Sequence, residues 1–298
     1  MTIAAGFRVL DGVLICADTE HSAGGMLTHE SKVIPADFSH GKVIFALSGE
    51  NVELAKAAVQ KCVEALRASH PNEIRNHHDI AALVERIIHR EYRKHVCPKP
   101  SPSDASVYQL LMAAWTPHDG LDGPGLYCTF QGTIRECDSY ECVGTGFYLG
   151  RYLIESMFNR GMDLHSARIV ATYAIAQAKA RVDGCSGQTH IAMLKTDGAV
   201  EGTRWDETKN LEETFQAFDA ERWSVLLDLL TQSDIRFQES LYAFNEQAIR
   251  LRVTLGLDEK SRKAILGMDS IATMFMPKDQ PLPEQTIHDP STPPPSLE

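Results

Sequence analysis

The stretch Thr2-Ile3-Ala4-Ala5-Gly6-Phe7-Arg8-Val9-Leu10-Asp11-Gly12-Val13-Leu14-Ile15-Cys16-Ala17-Asp18 reads as two strands joined by a tight turn. Ile3 to Val9 is short and apolar, and Asp11-Gly12 is a strong hairpin signal. Val13 to Ala17 is a continuous apolar run, as a strand buried on both faces requires. Thr2 therefore stands at the mouth of a strand. Methionine aminopeptidases remove an initiator Met that precedes a small residue, so the expected mature chain begins at Thr2, held rigidly rather than on a loose tail. Such a residue carries its own base. A free α-amino group, with an ordinary pKa of about 7.7–8.0, sits two bonds from the carbon bearing the hydroxyl. A threonine paired with its own amine is a known way to activate a weak nucleophile. Met-Thr alone is a common start, so the surroundings decide.

Outward from this hairpin, Lys42 to Leu47 is another β-type run and ends at Ser48-Gly49. Leu54, Ala58, Cys62 and Leu66 recur at helical spacing, as do Ile80, Val84, Ile87, Ile88 and Tyr92 up to the breaker Pro98. Strands are predicted over Val107–Trp115 and Leu126–Gln131, helices over Phe147–Arg160 and Leu164–Arg181. A last pair of strands, Gln188–Leu194 and Gly198–Gly202, turns at Asp197-Gly198. The order is strands, two helices, strands, two helices, strands. Several α+β folds share it; a four-layer arrangement, two stacked sheets between helical layers, buries the apolar face of every element. From residue 203 the pattern changes to amphipathic helix, with Leu211, Phe215, Phe218, Trp223, Leu226, Leu227 and Leu230. It continues over Ile235–Leu255 and near Ala264. The division is 2–202 for the main domain, 203–276 for a helical C-terminal extension and 277–298 for a Pro-rich, disordered tail.

A net charge of −11 and a pI near 5.5 argue against non-specific binding of nucleic acid and against docking on an anionic membrane. No apolar run approaches the ~18–20 residues of a membrane span, and the N-terminus lacks the pattern of a secretory signal, so a cytoplasmic protein is expected. The cysteines Cys16, Cys62, Cys97, Cys128, Cys137, Cys142 and Cys185 are odd in number and form no CxxC pair. Reduced, mostly buried thiols are expected, with no zinc and no disulfide framework. The histidines add no metal case: no HExxH occurs, and the adjacent His77 and His78 are expected to point away from each other on a helix. No cofactor and no metal is predicted.

Residues 2–18 resemble the opening of proteasome β-subunits and of the related bacterial HslV-type proteases, the proteasome-like branch of the N-terminal-threonine hydrolases. In that family a strand, a DG-type turn and a second strand separate the threonine from an aspartate sixteen positions on, the separation of Thr2 and Asp18 here. Gly24-Gly25 followed by Lys32-Val33-Ile34 resembles the family's next loop and its catalytic lysine, one residue earlier than usual. Phe45-Ala46-Leu47-Ser48-Gly49 resembles the strand end that supplies the oxyanion-hole N–H, which makes Gly49 the candidate. Gly144-Thr145-Gly146 resembles the family's Gly-Ser-Gly, with Thr145 keeping the hydroxyl. Asp183-Gly184-Cys185-Ser186-Gly187 resembles its Asp-x-x-Ser-Gly, where Asp183 and Ser186 would orient the amine and a water. His21, Glu30 and Leu47 align with the family's primary specificity pocket.

The resemblance covers residues 2 to 202 and implies the four-layer αββα sandwich of N-terminal-nucleophile (Ntn) hydrolases, here with a helical C-terminal extension. It implies a threonine-type endopeptidase acting on unfolded polypeptide inside a ring or stack of identical subunits, with an unfoldase ATPase as an admissible partner. Lys32 as ammonium would favour the deprotonated hydroxyl, and Asp18 would hold Lys32. An inactive scaffold subunit and an amide hydrolase of small molecules on the same fold are the alternatives.

Overall fold

The computed structural model describes residues 2–23, 26–49, 51–98, 108–120, 123–231 and 234–254. The opening hairpin forms as its sequence dictates. Strand β1 (Ile3–Val9) pairs antiparallel with β2 (Gly12–Asp18), and Val9 faces Gly12 across a Leu10-Asp11 turn. Gly12 is required: a Cβ there would lie 2.4 Å from the Leu194 carbonyl oxygen.

Two five-stranded antiparallel sheets follow from this nucleus. The first runs β10 (Tyr140–Gly144), β1, β2, β11 (Thr189–Lys195), β12 (Val200–Gly202). The second runs β5 (Val33–Phe38), β6 (Gly41–Gly49), β7 (Tyr108–Trp115), β8 (Gly125–Phe130), β9 (Thr133–Glu136). A separate hairpin, β3 (Glu20–Ala23) with β4 (Met26–His29), continues directly from β2.

Period-two alternation sends the strands' side chains to different cores. Ala4, Ile15, Ala17, Ile44, Leu111 and Leu126 meet in one cluster, made by the two sheets. Phe45, Leu47, Leu110 and Met112 meet Ala58, Leu66, Ile80 and Val84 of helices α1 (Val52–Ala68) and α2 (His77–His95). Ile3, Ala5, Phe7 and Leu14 meet Ile154, Ala171 and Ile175 of α3 (Phe147–Met157) and α4 (Leu164–Arg181). Fully burying one Leu, Ile or Phe contributes roughly 1.5–3 kcal/mol, so the continuous apolar runs in β1, β2, β6 and β7 stabilise a core on both faces.

Several expectations are corrected. Helix α3 ends at Met157 rather than Arg160: Phe158 is extended, and the Asn159 side chain accepts from Gly161 N at 2.8 Å. Strands β3, β4, β9 and β10 escaped the pattern because they are only four or five residues long and mix polar with apolar positions, and β5 escaped it because Pro35 and Asp37 interrupt its apolar run. His77 and His78 do not point apart; their ring centroids lie 4.1 Å from each other. They open α2 immediately after the extended N-cap Asn76. Helical side chains lean toward the N-terminus, and at the first turn no preceding turn separates them.

Beyond Gly202, α5 (Trp205–Thr231) packs on α4 and β11, and α6 (Asp234–Thr254) packs back on α5. Leu211 and Phe215 are buried, whereas Trp223, Leu226 and Leu227 are exposed. Phe218 of α5 meets Phe244 of α6 with ring centroids 5.1 Å apart. The helical piece near Ala264 and the Pro-rich segment 277–298 lie outside the described residues. Cys97 is an exposed free thiol and the other six cysteines are buried free thiols. Among the described residues, no helix is long and apolar enough to cross a membrane.

Candidate active site

Three strand ends converge on Thr2. It immediately precedes β1 and is 1% exposed. Pairing of β1 with β10 sets Ile3 opposite Gly144, and the Thr2 carbonyl accepts from Gly146 N at 3.3 Å. The second hairpin strand, β2, ends in Asp18, and Lys32 immediately precedes β5. The Lys32 ammonium donates to Thr2 Oγ1 in a short contact and to Asp18 Oδ1 at 2.8 Å. Thr2, Lys32 and Asp18, three candidates from three elements, thus form one chain of polar contacts inside the protein.

Asp18 is held on all sides. It accepts from Ile3 N at 3.0 Å, Glu20 N at 3.3 Å and Ser186 N at 3.3 Å, besides Lys32. The side chains of Lys32 and Asp18 are 1% and 0% exposed. Burial pushes the Asp18 carboxyl up and the Lys32 ammonium down from their ordinary values; their mutual attraction opposes both shifts. Lys32 is also fixed through the backbone, since its carbonyl accepts from Leu47 N at 3.0 Å. The preceding Ser31 lies 2.9 Å from His190 Nδ1 on β11.

Gly49 ends β6 with φ 149°, a conformation side chains rarely adopt. Its neighbour Ser48 reaches the same space as the Thr2 carbonyl. A Cβ on Gly144 (φ 96°) would lie 2.3 Å from Thr2 O and 2.6 Å from Ser48 Oγ. The end of β6 and the start of β1 are therefore in close approach where Gly144 leaves room.

The remaining candidates divide. Ser186 belongs to the cluster, through its N–H on Asp18 and its hydroxyl on Glu20. Asp183 and Thr145 are exposed. Leu47 is enclosed in the core against α1 and α2. Glu30 is exposed and paired with Lys56, whose ammonium holds its carboxyl below the usual range. His21 is 5% exposed and neither ring nitrogen has a hydrogen-bond partner. Burial first, then the charges of Lys32 and Lys56, bring its pKa down to about 4.

Sequence reasoning missed Glu20. It is 7% exposed and bonds the Ser186 hydroxyl. The signal was available, because Glu20 stands two residues beyond Asp18 where an extended chain returns to the same face. Two surface cavities, one beside His89, Arg90 and Arg93 and one of about 200 Å³ lined by Arg168, Thr203 and Glu207, lie away from Thr2. Among the described residues, the grouping of metal-type ligands, His77, His78 and Glu136, is also elsewhere.

No protein-family model matches the sequence, and no curated protein matches it. The architecture is similar to that of solved Anbu proteins. The helical assembly of the Anbu complex from Pseudomonas aeruginosa superposes with a TM-score of 0.66 at 11% identity, covering 78% of this chain and 99% of that one. An Anbu (Gly-1) mutant from Hyphomicrobium sp. strain MC1 gives 0.62 at 16% identity, over 75% and 96%. Anbu (ancestral beta-subunit) from Yersinia bercovieri gives 0.62 at 11% identity, over 74% and 96%.

At these identities the likeness is one of fold: a proteasome-like Ntn fold with antiparallel sheets. The assignment to the proteasome β-subunit and HslV-type branch is corrected, since these neighbours are Anbu proteins, proteasome-like in fold but distinct. The misassignment has a physical origin. The motifs around Thr2, Asp18 and Lys32 describe the polar cluster, which says little about the branch of the fold that carries it.

Proposed function

We propose that the chain is a threonine-type amide hydrolase, an endopeptidase of unfolded polypeptide, built on the four-layer αββα form of the Ntn fold. Three clusters support the layering: one made by the two sheets and one against a helix pair on each outer face. The observation that carries the chemistry is the buried contact chain from Thr2 Oγ1 through Lys32 Nζ to Asp18. A lysine desolvated this completely, and aimed at a hydroxyl at a strand start, has little structural use. As an electrostatic partner for an alkoxide it has a clear one.

Loss of residue 1 frees the Thr2 amine. That amine takes the Oγ1 proton while Oγ1 attacks the substrate carbonyl. Lys32 stabilises the developing negative charge on Oγ1, and the Gly49 N–H receives the oxyanion. The amine then gives its proton to the leaving nitrogen as the C–N bond breaks, leaving an ester on Thr2. Water, deprotonated by the same amine, hydrolyses the ester and restores the hydroxyl. Ser186 and Glu20 flank Asp18 and keep it facing Lys32; Thr145 and Asp183 are assigned to the rim.

Residues 2–202 form the hydrolase domain, 203–276 its helical extension and 277–298 its tail, and the protein works in the cytoplasm as a homo-oligomer. The helical assembly of the Pseudomonas aeruginosa relative supports self-association. An unfoldase would feed a closed assembly. Intact-mass measurement with peptide-amide turnover tests the reading. The expected result is a chain starting at Thr2 that hydrolyses a fluorogenic peptide and is acylated at Thr2 by a β-lactone. A folded protein that retains residue 1 and shows no turnover would establish the scaffold alternative.

A further inference from the structure

At the opposite end of β1 from Thr2, about 20 Å along the strand, a second polar group comes together from four elements. One ring nitrogen each of His77 and His78 and a carboxylate oxygen of Glu136 all lie within 4.8 Å of one another. His78 Nδ1 is 3.6 Å from Glu136 Oε2, and the other oxygen, Oε1, is held by Arg8 at 2.6 Å. Tyr127 OH lies between the two imidazoles, 2.5 Å from His77 Nδ1 and 3.0 Å from His78 Nδ1.

We propose that His77, His78 and Glu136 form a binding site for a divalent transition metal of the Zn²⁺ type, coupling α2 to the β8–β9 edge.

The chemistry of the donor set is the first argument. Two imidazoles and a carboxylate are ligands that Zn²⁺ accepts in sites where water takes the fourth position. Ligand atoms around a tetrahedral Zn²⁺ stand roughly 3.3 Å apart, given bond lengths of about 2.0–2.1 Å.

The second argument is the niche. Gly125 on β8 makes room for the His77 ring, because a Cβ there would lie 2.6 Å from His77 Nδ1. The His77 backbone is pinned by Asp119 Oδ1, which accepts its N–H at 2.8 Å. His77 is 3% exposed, while the side chains of His78 and Glu136 are 61% and 31% exposed. One ligand is thus fixed by packing, and the two on the solvent side give an ion access.

Arg8 completes the arrangement as an outer-shell group, holding Glu136 Oε1, while the Tyr127 hydroxyl borders the space between the two imidazoles. Tyr127 faces Glu136 across the β8–β9 ladder, and Arg8 orients the carboxylate so that Oε2 remains directed at His78. Such outer-shell partners commonly change metal affinity by about 10–100-fold.

The test uses the full chain, stripped with chelator and dialysed, then titrated with Zn²⁺ by calorimetry and followed by thermal melting. The expected result is one saturable equivalent per chain and a raised melting temperature. His78→Ala and Glu136→Gln, both at solvent-exposed positions, should keep the metal-free melting temperature and lose that equivalent, weakening it by at least about tenfold. The exposed thiol of Cys97 is the competing ligand. Co²⁺ substitution separates the two, because a thiolate ligand adds a strong near-ultraviolet charge-transfer band that a nitrogen–oxygen site lacks. No saturable equivalent in the wild-type protein, an equivalent that survives His78→Ala, or a thiolate band would each overturn the proposal.

Discussion

Two lysine–carboxylate–threonine groupings lie side by side in this molecule. One is Lys32, Asp18 and Thr2; the other is Lys179, Glu212 and Thr189. Asp18 and Thr189 are direct partners across the β2–β11 ladder, so the groupings are neighbours. Their ion pairs have similar lengths, 2.8 and 2.7 Å. Their wiring differs. In the first, the lysine donates to the threonine and separates it from the carboxylate. In the second, the Thr189 hydroxyl donates to Glu212 and is tied up as a donor, while Lys179 reaches it only at 3.3 Å. Thr189 also opens β11 in mid-chain and has no prospect of a free amine. On the proposed function, a lysine, a carboxylate and a threonine therefore serve a nucleophile in one place and build a latch in the other. The latch ties α5 to α4 and β11.

The largest effect expected from this contrast is on turnover. Thr2→Ala should remove peptide-amide hydrolysis by at least about 10³-fold with the melting temperature retained. Thr189→Ala should cost stability and leave the rate of the surviving folded protein near wild type. Kinetics at equal folded concentration decide it; a Thr2→Ala enzyme that still turns over would refute the assignment.

The second effect is on stability. Removing one partner of a fully buried pair costs about 3–5 kcal/mol because it leaves the other charge buried and unpaired, a cost that removing both charges avoids. Asp18→Asn and Lys32→Met alone should each destabilise, and the double variant should recover most of the loss while remaining inactive. Lys179 and Glu212 keep 14% and 9% side-chain exposure, so Glu212→Gln should cost less, about 1–3 kcal/mol. Denaturant melts of the five proteins give the comparison. Equal losses at both sites, without recovery in the double variant, would mean that the Lys32 pair is an ordinary structural contact.

How far this was legible in the sequence follows from the same groupings. Thr2 could be read because it borders the apolar strand β1, and Asp18 and Lys32 because their spacing from Thr2 and the two apolar residues after Lys32 resemble a known motif. Ser186 was found by its motif. Glu20 and the Lys179–Glu212–Thr189 latch were not, because they depend on short strands and on a helix arriving from beyond residue 202. Strands β1, β2, β6, β7, β8, β11 and β12 and helices α1 to α4 were legible from turn signals and apolar periodicity, whereas β3, β4, β9 and β10 are too short to show any and Pro35 and Asp37 break the pattern of β5. The meeting of His77 with His78 was hidden because ideal helical spacing does not describe a first turn.

A third, comparable effect separates the two halves of α5. Phe215, beside the latch, is 5% exposed and packs on Tyr173 at 5.1 Å between ring centroids. Phe215→Ala should cost about 3 kcal/mol. Trp223 is 56% exposed, and Trp223→Ala should stay within about 0.5 kcal/mol. Truncation after Gly202 would uncover the buried half, so aggregation is expected rather than a folded monomer. A soluble, folded product would show that α5 only leans on the domain.

The smallest effect sits beside the Thr2 grouping and has no counterpart at the latch. His21 has its pKa lowered from 6.5 to about 4, with burial as the main cause and the Lys32 charge next. A base with a depressed folded pKa contributes stability above its unfolded value and loses it as pH falls toward the folded value. His21 should thus make the protein less stable between pH 6.5 and 4, by on the order of 1–2 kcal/mol at pH 5. His21→Leu keeps the ring's apolar contacts in part and removes two unpartnered nitrogens, so its melts should lack this acid loss. The wild type and the variant differ at one titrating site, which cancels the other histidines from the difference. Lys32→Met should shrink the same window by removing the neighbouring charge, and Lys179→Met should leave it unchanged. If wild type and His21→Leu lose stability in parallel from pH 7 to 5, His21 is solvated and the Lys32 charge does not reach it.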